Sequence, residues 1–399
     1  MLRVFTTVAL LGTQLGIVSS CQILGQSVVS RSRGAMALHS PHNVAGAVWF
    51  GLSGLTLCVV ALSLVTPVGL LGLVLMALSV AALVVVGIRV VRSHQMNGIA
   101  LGSGVFIIIC MVALCCIGLL ALGMPTNYDA GLYQLNAIQY TSQFQVIPGL
   151  ANVHDRLGFN SSLYPVAAFL NSPIWPEQGF RLVTGCFLIA MAADLVVRLT
   201  QSDSRRKPGT FVLGLGFAVI LGYALQEPGR LVASPGIDLI PAMLLVVSSA
   251  YLLDFLSNGH DRRDAAVALV AAGLAGSMRP LGWVFTGVMV VIVLVALRGR
   301  WRGRLLWTST TLVAGLLITM LVRDWLLSGW LLFPLGLFPV GGDWRFPDPT
   351  HTREAITAWG RAPGQPLEVS QEFLNWFPTW ASTSVRDWTV VVTVAMVFI

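Results

Sequence analysis

The chain has 399 residues, of which 56% are hydrophobic and 10% charged, and its mean hydropathy is +0.80. A soluble domain carries roughly 25% charged residues, so a water-solvated globular body is excluded and most of the chain is solvated by lipid. The net charge of +7 comes from scattered arginine, with Lys207 the only lysine. It forms no clustered basic face of the kind that nucleic acid needs.

A membrane span needs about 20 mostly apolar residues. Such runs fall, in chain order, near 4–25, 44–65, 68–88, 99–122, 181–199, 210–225, 237–256, 264–279, 282–297, 305–322 and 388–399. The expected fold class is all-α: a polytopic membrane helical bundle of about 10–11 spans. The first run reads as a span, although Val18-Ser19-Ser20-Cys21 resembles a lipoprotein cleavage box. The run at 388–399 reads as the start of a further span that the sequence cuts short. One membrane domain over 1–399 then divides into N-terminal spans (1–122), a loop region (123–180), central spans (181–333), a second loop region (334–387) and the last run (388–399). Cys21, Cys58, Cys110, Cys115, Cys116 and Cys186 all lie in apolar runs, which suits packing better than a disulfide framework or a metal site.

Basic clusters set the expected orientation. They are Arg31/Arg33, Arg89/Arg92, Arg205/Arg206/Lys207, Arg262/Arg263 and Arg298/Arg300/Arg302/Arg304. With the spans above, all five fall on one side, and cytoplasmic loops carry the excess of Lys and Arg. The 123–180 and 334–387 regions are therefore expected outside the cytoplasm. The arginine-rich, lysine-poor composition suggests a bacterial source, and hence the cytoplasmic (inner) membrane.

The polar island at 125–181 holds the ionisable groups. Asp129 is placed to act as a general base on an acceptor hydroxyl at headgroup height. It is equally placed to cap the helix that begins near Gly131, and both readings stay open. Leu132, Leu135, Ile138 and Thr141 recur at helical spacing and predict a short amphipathic helix that Pro148-Gly149 ends. His154, Asp155 and Arg156 are three ionisable types in a row; Arg156 suits a phosphate, and the alternative is a solvated turn. Asn160-Ser161-Ser162 reads as a turn. At the outer ends of later spans lie Arg230, Asp238, Arg279, Arg323 and Asp324, and charge near a span is a functional candidate. Asp194 and Arg198, spaced i,i+4, read as a structural pair, and Asp254 as interfacial. Beyond Pro339, a polar helix is predicted near 352–360, followed by the aromatics Phe373, Trp376, Phe377 and Trp380. Phosphate-binding loops of the GxxxxGK[ST] type and zinc spacings of the HExxH or CxxC type are missing from the sequence.

Two segments carry a family resemblance. They are Tyr128-Asp129-Ala130-Gly131-Leu132-Tyr133 and Val146-Ile147-Pro148-Gly149-Leu150-Ala151-Asn152-Val153-His154-Asp155-Arg156-Leu157-Gly158-Phe159-Asn160-Ser161-Ser162. They resemble a bacterial polytopic family with the pattern D-x-G-L-Y-H followed by P-G-L-x-N-x-H-x-R-L-x-F-N-S-S, which is similar to the GT-C superfamily of integral membrane glycosyltransferases. The resemblance implies a multispan bundle with an outward-facing active site, a polyprenyl-phosphate sugar donor, and a glycan, lipid or protein acceptor, with membrane lipids around it. It implies Asp129 as the catalytic carboxylate. Tyr128, Tyr133, His154, Asp155, Arg156, Asn160, Arg230, Asp238 and Arg279 are then the candidate substrate-binding residues. The resemblance fixes no cofactor, and a divalent metal stays open. Two departures stand out: the loop follows the fourth predicted span rather than the first, and Gln134 stands where the pattern has His. A lipid-linked glycan transporter and a non-catalytic envelope scaffold are the rival readings.

Overall fold

The computed structural model describes residues 2–31, 41–69, 112, 115, 116, 118–171, 175–199, 207–298 and 303–382. The predicted run at 68–88 from residue 70 on, the run at 388–399, most of 99–122 and the Arg89/Arg92 cluster fall outside the described residues. The described chain is mainly helical, with two three-residue strands. Six helices are long and apolar enough to cross a membrane, with limits Thr6–Ser27, Ala45–Ser63, Phe180–Leu199, Pro208–Gln226, Leu239–Ser257 and Arg304–Ser328. This is an all-α membrane bundle.

The chain divides into two compact units. The first comprises Met1–Val146 and Ser161–Met320, the second Ile147–Asn160 and Leu321–Ile399. The long helices of the first unit are α1 (Leu2–Arg31) and α2 (Pro41–Ser63). A π-turn over Ala130–Gln134 then leads into α3 (Leu135–Gln143), and α4 (Leu163–Phe169) follows. The remaining elements are α5 (Phe180–Leu199), α6 (Lys207–Gln226), α7 (Pro228–Leu231), α8 (Leu239–Ser257), α9 (Arg262–Met278), α10 (Leu281–Ala296) and α11 (Arg304–Ser328), whose residues from Leu321 on belong to the second unit.

The expected span at 264–279 has a different character. Every residue of α9 from Arg263 to Met278 is buried in protein. Its run of Ala and Gly lets neighbours approach closely, as small residues do between membrane helices. Gly276 lies against the Trp283 ring of α10, and Gly273 against Val313 of α11. The pair α1 and α2 uses the same device twice: Gly25 lies on the Ala47 carbonyl and Gly51 on the Cys21 carbonyl. A methyl group at either glycine would push the two backbones apart.

One end of the first unit is locked by charge. Arg198 Nε donates to Asp194 Oδ1 at 2.9 Å, and Arg198 Nη1 donates to Asp254 Oδ2 at 2.5 Å, all three side chains being buried. Trp49 Nε1 and the Tyr251 hydroxyl donate to Asp194 at 2.9 and 3.3 Å. The Arg198 guanidinium stacks 4.2 Å above the Tyr251 ring. The i,i+4 pair expected on α5 is present. Asp254, expected at the interface, is instead fully buried and joins α8 to it. Four groups from α2, α5 and α8 thus converge on one guanidinium or its acceptor, which compensates a charge that would be costly to bury alone.

In the second unit, Gly149 adopts a left-handed conformation (φ 71°) against Trp344. Asn152 Nδ2 donates to the Trp344 carbonyl at 2.6 Å, which fixes the 149–152 turn. Strands β1 (Trp330–Leu332) and β2 (Leu337–Pro339) pair antiparallel, with Trp330 opposite Pro339 and Leu332 opposite Leu337. This hairpin was not expected. The polar helix predicted near 352–360 is present as α12 (Thr350–Arg361), followed by α13 (Leu367–Gln371) and a helical segment over 373–382. Phe373 stacks on Phe377 at 5.1 Å, Trp376 packs edge-on against both, and Trp380 lies tilted beside Phe377 and edge-on to Trp376.

Candidate functional site

The site in the first unit starts from a cap. Thr126 N–H donates to the Gly229 carbonyl at 3.1 Å and Asn127 N–H to Ser234 Oγ at 3.3 Å. Ser234 Oγ donates in turn to Gly229 O at 2.7 Å. The chain before Asp129 is thereby tied to the segment around α7. Asn127 Oδ1 then accepts the backbone N–H of Asp129 at 3.0 Å, and its carbonyl accepts from Ala130 N–H at 3.0 Å. Asn127 therefore does the work of an N-cap. Asp129 already has helical dihedrals (φ −65°, ψ −25°) and its side chain makes no cap hydrogen bond. The capping reading of Asp129 is corrected: its side chain makes no cap hydrogen bond, and it is half-buried at the first turn.

The next turn is a π-turn, in which Leu135 N–H donates to the Ala130 carbonyl five residues back. π-Turns recur at functional sites because the wider turn re-aims side chains. Here it changes the expected buried face. Leu132 and Leu135 are only half-buried, and the buried stripe is Ala130, Tyr133, Gln134, Ala137, Ile138 and Thr141. The helix ends at Gln143, where Phe144 turns extended, rather than at Pro148-Gly149.

Tyr133 is hydrogen-bonded to Tyr164, which is 2% exposed at the head of α4. Serines hold that head on the end of α9. Ser161 Oγ donates to the Met278 carbonyl at 2.8 Å, Ser162 Oγ and Ser277 Oγ share a bond at 2.8 Å, and Ser162 N–H donates to Ser277 O at 2.9 Å. The residue after Met278 is Arg279, whose Nη1 pairs with Asp238 Oδ1. Both side chains of that pair are about half-exposed, at 52% and 47%.

The charges of Asp129 and Arg279 both reach Tyr164. Burial pushes the Tyr164 phenol well above its usual range; Tyr133 and then the Asp129 carboxylate push it further, and Arg279 opposes them. The phenol is held as a neutral O–H between an acid and a guanidinium. Asp129, Tyr133, Asp238 and Arg279, all named from the sequence, are therefore linked through Tyr164 and the ion pair. Arg230 sits on α7, the segment tied to Thr126 and Asn127, and pairs with Glu227 at 3.1 Å. Tyr128 is 72% exposed.

The remaining sequence candidates belong to the second unit. His154 Nδ1 accepts from Arg156 N–H at 3.2 Å and lies 3.2 Å from Asp155 Oδ1. Asp155 Oδ2 accepts from the Thr352 hydroxyl at 2.8 Å, which ties the 155–158 turn to α12. Arg156 lies over the Phe159 ring at 5.9 Å. Asn160 is hydrogen-bonded to the Asp324 side chain. These contacts hold turns in place. Among the described residues, no group of three or more His, Cys, Asp or Glu side chains is arranged to hold a metal ion.

A family model covers residues 4–399, nearly the whole chain, and carries the description Domain of unknown function (DUF8201). The chain belongs to the DUF8201 family. No curated protein and no solved structure matches it. For this DUF8201 chain the site residues that the sequence did not name are Asn127, Tyr164 and the Ser161/Ser162/Ser277 clasp. Asn127 stood two residues before Asp129 as an equally good capping type, which was the available signal. Tyr164 and Ser277 are more than 100 residues apart in sequence, and only the fold brings their neighbours together.

Proposed function

We propose that this protein is a membrane glycosyltransferase, similar in kind to the GT-C enzymes. It transfers a sugar from a polyprenyl-phosphate donor to an envelope glycan, lipid or protein acceptor on the extracytoplasmic face of the bacterial inner membrane. The observation that carries the reading is the placement of the Asp129 carboxylate, whose charge reaches Tyr164 together with that of Arg279, beside Tyr133 and the Arg279–Asp238 pair. A carboxylate at the first turn of a helix beside two tyrosines can accept a proton from an acceptor hydroxyl.

In the proposed reaction the acceptor oxygen attacks the anomeric carbon of the donor, and Asp129 takes the acceptor's hydroxyl proton. The bond from that carbon to the phosphate oxygen breaks, and polyprenyl phosphate leaves with the electron pair. Arg279 stands nearest in kind to what the leaving phosphate requires, a planar donor fork with a fixed charge. It would exchange Asp238 for the phosphate. Tyr133 and the neutral Tyr164 hydroxyl hold the helix turn that carries Asp129. Arg230, half-exposed, is a further cation on the tied α7 segment. The basic chain ends Arg31, Lys207, Arg262 and Arg304 fall at the helix termini opposite in sequence order to the Asp129, Asp238 and Arg279 termini, which supports the outward orientation.

The test is transfer by the purified, folded chain from polyprenyl-phosphate sugars, wild type against Asp129→Asn. Loss of transfer in a folded variant supports the assignment, and undiminished transfer removes Asp129 from the chemistry.

A further inference from the structure

A second feature lies at the basic end of α9 and α10. A cleft of about 690 Å³ is lined by Gly259, His260 and Arg262 on one side and by Val295, Leu297 and Arg298 on the other. Arg262 and Arg298 are both exposed. Among the described residues neither has an acidic partner, and no acidic side chain lines the cleft. Asp261 is turned to the backbone, where it accepts from Arg263 N–H at 3.0 Å as the cap of α9. Among the described residues, the cleft is thus lined by two guanidinium groups and no acid.

The cleft continues into an apolar surface. Val295 lines it, and Val284, Val288, Val291 and Val295 are all more than half exposed. Their spacings of four, three and four residues put them in one stripe along α10. A headgroup cleft with two guanidinium groups, opening onto an aliphatic stripe along an apolar helix, is complementary to one class of ligand. Basic pockets at the ends of membrane helices are where anionic headgroups bind.

We infer that the cleft between the α8–α9 turn and the end of α10 binds an anionic phospholipid, with its phosphate between Arg262 and Arg298 and an acyl chain along Val284, Val288, Val291 and Val295. The inference does not rest on the transfer reaction. The guanidinium groups recognise the phosphate and His260 borders it. The valine stripe separates a lipid from a free phosphate, which would use the arginines alone.

The experiment is native mass spectrometry of the purified full chain supplied with phosphatidylglycerol, with phosphatidylcholine, or with inorganic phosphate. The wild type is expected to retain phosphatidylglycerol in preference to phosphatidylcholine, and phosphate is expected not to displace it. R262A/R298A should lower phosphatidylglycerol retention about thirtyfold, and R262K/R298K should restore most of it. Equal retention of the two lipids by the wild type, or undiminished retention by a folded R262A/R298A protein, overturns the proposal. Displacement by inorganic phosphate overturns the lipid assignment in favour of a soluble anion. A phosphatidylglycerol with a photoreactive acyl chain gives an arm that needs no variant. Labelling of the α10 peptide supports the site, and labelling confined to other helices overturns it.

Discussion

Asn127 Oδ1 accepts the backbone N–H of Asp129 at 3.0 Å, so two residues that look alike as helix caps have separate jobs. Asn127 closes the helix end. Asp129, two residues on, makes no cap hydrogen bond with its side chain. Asn127→Ala should therefore cost about 1 kcal/mol of stability, while Asp129→Ala should cost well under that. Thermal unfolding of both variants in detergent checks this. Equal destabilisation by the two would mean that Asp129 shares the capping role.

The Arg279–Asp238 pair is half-exposed and crosses from the end of α9 to the start of α8. If Arg279 takes the donor phosphate, Arg279→Ala should raise the KM for the donor about tenfold or more, since charge-assisted hydrogen bonds carry about 1.5–3 kcal/mol. Asp238→Asn should lower that KM, because the guanidinium no longer has to leave a carboxylate. Steady-state kinetics with varied donor separates the two. A parallel rise in KM for both variants would make the pair a structural brace.

Tyr164 is an acid whose folded pKa is raised by burial, Tyr133 and Asp129. The unfolded phenol titrates near its ordinary value of about 10. The stability that Tyr164 contributes is full below about pH 10 and is lost as pH rises from there through the higher folded value. Tyr164→Phe should flatten the alkaline fall in melting temperature and should leave no new break in activity between pH 6 and 9. An unchanged alkaline slope in Tyr164→Phe would contradict this placement of the phenol.

Arg198 holds two buried carboxylates from two helices. Arg198→Ala leaves Asp194 and Asp254 uncompensated and should cost about 3–5 kcal/mol. A triple replacement, Arg198→Met with Asp194→Asn and Asp254→Asn, should recover much of that loss, because it removes the charges together. Unfolding in detergent reads both; a mild effect of Arg198→Ala alone would show the network to be solvated.

What the sequence made legible follows from length scale. Runs of apolar residues long enough to cross a bilayer declare themselves, and α1, α2, α5, α6, α8, α9, α10 and α11 lie where such runs fall. The hairpin at Trp330–Pro339 does not, because three-residue strands carry too little period to read. The π-turn at Ala130–Gln134 depends on a single hydrogen bond skipping one residue, and that moved the buried face from Leu132 and Leu135 to Tyr133 and Gln134. Asp254 had no visible partner because Arg198 is 56 residues away in sequence. Asp238 and Arg279 were named separately from their places at helix ends, but their pairing was not readable. The motif around His154 and Asp155 was readable as a motif, yet these side chains serve the turn and the tie to Thr352.

The central claim is that the Asp129 carboxylate takes the proton of the acceptor hydroxyl. The most direct measurement is single-turnover transfer from a polyprenyl-phosphate sugar by folded wild-type and Asp129→Asn protein, with saturating donor. The account predicts a fall of about 10²–10⁴-fold in the rate of transfer, with an unchanged melting temperature. Transfer by Asp129→Asn at the wild-type rate would contradict it.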